Sequence, residues 1–333
     1  VARPLKRTLK ILLSLAFVAT IAWSMRDQDL GAVARRLHPG YALLSLAVSL
    51  AMIGVSCWKW KALLELEAAP LPFRRLLRHY FVGYYYTVLL PSNVGGDVAR
   101  ALLAGRDIGS HSRAAVSVFL ERVTGLALLL VLACTTPLLV PGLVRRPIVF
   151  VPVLASAVLL VGLGLAFFLP DPRRWGRLAG DGPGWLACGF RRGAEVLGTL
   201  HDRLHAALRE LHDRPGRKAA VALLTLVFYA LTWVNIRVTF LAFGENVPWS
   251  AVIAVAPVCM IIACLPLAPF AGLGLTEGAY LAYFGLLGVA APATLAMALF
   301  LRLKLILFGI CGMLCQWSGT LQPEPGDERR DSL

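Results

Sequence analysis

Leu90-Pro91-Ser92-Asn93-Val94-Gly95-Gly96-Asp97, residues 90–97, interrupts an apolar stretch that runs from 79 to 105. A second interruption, Gly272-Leu273-Gly274-Leu275-Thr276-Glu277-Gly278, breaks the apolar stretch 251–291, with Pro266 and Pro269 just before it. Proline removes a backbone donor and glycine weakens a helix, so each break frees backbone polar groups. Hydrocarbon offers those groups no partner. A broken helix at membrane depth survives only where protein buries it or water reaches it. Both stretches therefore read as re-entrant helical hairpins, with Pro91, Gly95, Gly96, Gly272 and Gly274 forming the loop backbone.

The residues around the breaks supply the membrane setting. Of the 333 residues, 58% are hydrophobic and only 16% charged. The apolar residues come in blocks near the roughly 20 that a helix needs to cross a bilayer. Unbroken spans are expected at about 9–25, 41–58, 114–136, 148–169, 219–243 and 293–317. The expected fold class is an all-α integral membrane protein with six full spans and two re-entrant broken-helix hairpins. Segment 9–25 follows Arg3, Lys6 and Arg7 as a signal peptide would, but Arg26-Asp27-Gln28-Asp29 comes next without a small-residue cleavage site. It reads as a retained first helix. The net charge of +14 fits cytoplasmic loops and anionic headgroups, and no nucleic-acid partner is expected. Cys57, Cys134, Cys188, Cys259, Cys264, Cys311 and Cys315 form no paired CxxC motif and read as packing residues.

Charge counting orients the chain. Loop 59–78 carries five Lys/Arg against two acids, and loop 171–218 carries ten against six, whereas loops 141–147 and 244–250 hold only Arg145 and Arg146. A cytoplasmic amino terminus puts the basic loops inside, provided each hairpin returns to the side it entered from. Loop 26–40, with three arginines, is then the exception outside. The chain divides into a first repeat, 1–145 (two spans, hairpin, span), a second repeat, 146–321, and a polar tail, 322–333. The order of elements in the two halves is that of an inverted repeat. Asp97 to Arg122 and Glu277 to Arg302 are both 25 residues apart, and Phe-Leu stands shortly before each arginine. Within segment 171–218, residues 194–211 place Leu197, Leu200, Leu204, Leu208 and Leu211 on one helical face, as an interfacial helix does. His201 and His205 lie four apart without a third metal ligand and read as solvated.

An ionisable side chain at bilayer depth costs roughly 3 kcal/mol on insertion scales, so each one asks for a role. The candidates are Asp97, Arg100, Glu121, Arg122, Arg237, Glu277, Arg302 and Lys304. Asp97 and Arg100 are spaced to pair on one helix, or simply to cap it. Glu121 and Arg122 face different sides, and Glu277 is the candidate partner for Arg237. Helix amino termini and arginine forks suit phosphate, so these residues read as a headgroup site. Tyr84, Tyr85 and Tyr86 read first as interfacial anchors. No nucleophile–base pair or metal cluster is evident, so neither catalysis nor a cofactor is expected; His79 and His111 stand apart.

The run Leu90–Arg100, then Glu121-Arg122 in VFLERVTG, then Gly272–Gly278, resembles the transmembrane domain of lysylphosphatidylglycerol synthases, over about residues 9 to 318. The resemblance implies a lipid flippase or scramblase in the cell membrane, acting on a phospholipid or another anionic or aminoacylated lipid. Two-domain relatives carry a separate synthase domain, and none is expected in this sequence. The other readings are a non-transporting scaffold for a lipid-modifying or glycosyl-transferring enzyme, and an intramembrane enzyme acting on a headgroup. Membrane lipids are the expected partners, with a second copy of the chain or a partner enzyme left open.

Overall fold

The computed structural model describes residue 35 and residues 37–66, 69–89, 94–168, 215–264 and 274–320. The expected span 9–25, the helix 194–211 with His201 and His205, Cys188, Pro91, Gly272 and the tail 322–333 lie outside the described residues. The described residues contain nine α-helices and no strand. In chain order these are α1 (Pro39–Leu66), α2 (Phe73–Leu89), α3 (Gly95–Asp107), α4 (His111–Thr135) and α5 (Pro147–Phe168). They continue with α6 (Pro215–Ala242), α7 (Trp249–Cys264), α8 (Leu275–Gly285) and α9 (Ala291–Thr320). Five of them, α1, α4, α5, α6 and α9, are long and apolar enough to cross a membrane. This is a multi-pass membrane protein. The outward faces agree: Val151, Leu154, Val158 and Val161 on α5 are more than half exposed, as a lipid-facing helix requires.

One boundary differs instructively from the sequence reading. The first described span was expected to end near 58, leaving Lys59 in a loop, but α1 continues to Leu66. Trp60, Leu63 and Leu64 maintain the helical spacing of apolar residues and are fully buried, which carries Lys59 inside with them. Lys59 is therefore a buried cation rather than a cytoplasmic loop charge.

Helices α1 and α6 pack along their lengths and run antiparallel. At one end the His38 N–H donates to the Ala242 carbonyl (2.8 Å). At the other, Arg217 lies 3.8 Å from Glu65. Around this pair the packing of the two halves corresponds: α2 lies on α9, and α7 lies on α4. Each apolar stretch that the sequence breaks becomes two helices in contact, α2 with α3 and α7 with α8.

Glycines set how close these contacts come. A Cβ on Gly96 would collide with Thr87 and with the Gly83 carbonyl, so α2 and α3 meet backbone to backbone. A Cβ on Gly312 would collide with the Phe81 carbonyl, which fixes α9 against α2 in the same way. Gly54 on α1 has nothing within 4 Å. Thermal unfolding in detergent should therefore separate two Gly→Ala variants. Gly54→Ala should raise stability by up to about 1 kcal/mol through helix propensity. Gly96→Ala should lower it by about 1–3 kcal/mol through overpacking. Equal shifts would contradict the close α2–α3 contact.

Candidate functional site

Among the described residues, three clusters of polar groups within the helical body bear on the site. The first forms where α3 begins. Asp97 is the third residue of α3, where the free N–H groups of a helix start favour a carboxylate. It receives two arginines. Arg100 Nη2 donates to Asp97 Oδ1 (2.6 Å). Arg122 grips the same carboxylate with two prongs, Nε to Oδ2 (2.6 Å) and Nη2 to Oδ1 (2.9 Å).

Arg100 is the centre of the cluster and only 4% exposed. Its Nη1 donates to Glu121 Oε2 (3.0 Å), so one guanidinium bridges two carboxylates. Its planar face lies 4.1 Å from the Tyr80 ring centroid and 5.1 Å from that of Trp60, within cation–π range. The Tyr80 hydroxyl donates to the remaining Glu121 oxygen, and Trp60 Nε1 donates to Ser117 Oγ (3.0 Å). A Cβ on Gly83 would come within 2.8 Å of Arg100 Cγ, so that glycine makes the room for the arginine. Lys59 Nζ completes the cluster by donating to the Glu121 backbone carbonyl (3.1 Å). Arg122 is unlike the others. Its side chain is 61% accessible.

The second cluster is the counterpart of the first. Glu277 is the third residue of α8, as Asp97 is of α3, and Arg302 and Arg122 are each the twelfth residue of their helix. Arg302 Nε donates to Glu277 Oε1, as Arg122 Nε does to Asp97. The matched 25-residue spacings are thus matched ion pairs. Glu277 Oε2 also accepts the Gly274 N–H (2.8 Å), and Gly274 enters the helix at φ +83°, a conformation open to glycine.

The third cluster joins α1, α6 and α9. Lys304, 4% exposed, donates to Ser45 Oγ (2.6 Å) and Asn235 Oδ1 (2.8 Å), with the Ser45 carbonyl at 3.5 Å. Ser45 also bonds Thr239 Oγ1 (2.7 Å), and Asn235 Nδ2 donates to Ser49 Oγ (3.1 Å). All of its partners are neutral.

The structure thus gathers Asp97, Arg100, Glu121 and Arg122 into one network and joins Glu277 to Arg302. It separates Arg237 from both. The expected Arg237–Glu277 pairing is corrected: Arg237 Nη2 donates to Asn246 (2.9 Å), and its guanidinium stacks on Trp249 at 4.8 Å. Of the expected loop backbone, Gly95 and Gly96 open α3, and Gly274 caps α8. His79 pairs with Asp107 (2.9 Å) and meets the Trp60 ring edge-on with centroids 6.5 Å apart. Sequence reasoning missed Tyr80, Trp60, Lys59 and the Ser45–Asn235–Thr239 set. Ser45 and Asn235 are 190 residues apart, and no local spacing announces such a pair. Among the described residues no group of three or more His, Cys, Asp or Glu could hold a metal ion.

The family model described as the lysylphosphatidylglycerol synthase TM region matches residues 8–312. Neither a curated protein nor a solved structure matches the chain.

Buried Arg100 and Lys304 should respond oppositely to replacement by Met. Arg100→Met leaves the Glu121 carboxylate without its arginine and takes one of two arginines from Asp97, and should cost about 3–5 kcal/mol. Lys304→Met leaves Ser45, Asn235 and Thr239 bonded to one another and removes an uncompensated charge, so it should be neutral or stabilising. Unfolding of the purified variants in detergent checks the order, and a more severe Lys304→Met would reverse the assignment.

Proposed function

The chain belongs to the lysylphosphatidylglycerol synthase transmembrane-region family, and from that membership and the site's geometry we propose that it moves a lipid between leaflets, as a flippase or scramblase. One observation carries the reading. Arg122 lies near the middle of a membrane-length helix, about 16 Å from its start, yet most of its side chain is accessible. A charge at that depth is costly unless it meets water or a partner. A polar headgroup crossing the bilayer faces the same cost, and an anchored arginine at mid-depth lowers it for the headgroup.

The rest of the network supports that task. Asp97 holds Arg122 by two parallel bonds, and buried Arg100, itself held by Glu121, holds Asp97 in turn. The arginine is aimed before the lipid arrives, so little order remains to be imposed on binding. The breaks before α3 and α8 act in this reading as the tips of re-entrant hairpins. The correspondence of Asp97–Arg122 with Glu277–Arg302, set about antiparallel α1 and α6, supports an inverted repeat of halves 1–145 and 146–321. Such a repeat lets one site open to either side. We place the protein in the cell membrane with its amino terminus cytoplasmic. The work is movement without a catalytic step, and the partner is the membrane lipid.

Reconstitution into liposomes with fluorescent lipids, scored by dithionite quenching of the outer leaflet, tests the proposal. Leaflet exchange should exceed that of protein-free vesicles. Arg122→Ala and Glu277→Ala should each slow it by roughly tenfold or more, the consequence of losing a charge-assisted bond of about 1.5–3 kcal/mol. Well-folded protein that exchanges no lipid would end the transport reading.

A further inference from the structure

We infer that the headgroup taken at Arg122 carries net negative charge and no ammonium group, an inference that rests on the lipid-moving reading and narrows it. The first cluster offers more donors than acceptors. Both carboxylates are already engaged: Asp97 by Arg100 and Arg122, Glu121 by Arg100 and Tyr80. The cations are engaged too, but with N–H groups to spare. Arg122 has five N–H groups and spends two on Asp97. Lys59 has three and spends one on the Glu121 carbonyl. Among the described residues the open N–H groups of Arg122 and Lys59 outnumber the open lone pairs of the two carboxylates.

Charge gives the same answer. Three cations, Lys59, Arg100 and Arg122, share the cluster with two anions, Asp97 and Glu121. The cluster therefore holds a net positive charge within the membrane body. Phosphate oxygens supply what it lacks, namely several acceptors and a compensating charge. A lysyl or other ammonium headgroup brings donors to a site already rich in them, and a cation to a positive field. The site favours phosphatidic acid or phosphatidylglycerol chemistry over zwitterionic lipid, and both over an aminoacylated one.

The experiment has a binding arm and a transport arm on the full chain. In neutral detergent, thermal unfolding is followed with short-chain phosphatidic acid, phosphatidylglycerol, phosphatidylethanolamine, lysylphosphatidylglycerol and inorganic phosphate. In liposomes, the same headgroups on fluorescent lipids are ranked by dithionite quenching. The expected result is stabilisation by the two anionic lipids, lost in Lys59→Met and in Arg122→Gln and retained in Lys59→Arg. Transport should favour anionic over lysylated lipid by roughly tenfold or more. Lysylated lipid that binds or moves as well as anionic lipid overturns the inference while leaving transport intact. So does an anionic shift that survives both charge-removing variants, and so does an equal shift with inorganic phosphate, which would make the lipid incidental. Selective anionic binding without exchange of any lipid supports the headgroup class and overturns the transport reading instead.

Discussion

Arg100 is the side chain on which the rest of the site hangs. A guanidinium buried to 4% exposure in a membrane protein needs full compensation, and it has two carboxylates and two aromatic faces. Those partners come from α1, α2, α3 and α4, so satisfying one charge fixes four helices at once. The glycines follow from it. Gly83 has no side chain because Arg100 lies over it, and Gly96 has none because α2 passes there. With that inner core fixed, Asp97 can present Arg122 outward with its orientation already set.

The second half meets the same physical problem by a different route. Glu277 is held by Arg302 and by a backbone N–H, and the counterpart of Arg100, 180 residues on, is the buried Tyr280. Its extra cation is Lys304, tied to neutral oxygens between α1, α6 and α9. Lys59 plays the corresponding part in the first half, bonded to a carbonyl of α4. The two halves thus share a framework of acid, arginine and buried lysine, but among the described residues the first surrounds its acid with a second carboxylate and a second arginine. That asymmetry supports Arg122 as the proposed headgroup site.

The helical body was legible because hydrocarbon enforces a strong pattern. Five apolar blocks became five membrane-length helices, and the breaks at 90–97 and 272–278 became the divisions between α2 and α3 and between α7 and α8. The acids and arginines were legible because charge is rare at that depth, and the repeated 25-residue spacing proved to be a repeated ion pair. The reading failed where a charge had two plausible settings. Lys59 stands where an apolar block meets a basic one, and only continued burial of Trp60, Leu63 and Leu64 decides that it goes inside.

The sequence alone determined that this chain lies in a membrane, where its helices break, and which ionisable groups need an explanation. Those properties are local: they follow from transfer energies and backbone hydrogen bonding, summed over neighbouring residues. Tertiary structure decided which charges meet. Glu277 takes Arg302 and not Arg237, Arg100 takes Glu121 as well as Asp97, and Lys304 takes no acid among the described residues. Pairing depends on which helix faces come together across gaps of up to 259 residues, and opposite charges attract whatever their order along the chain.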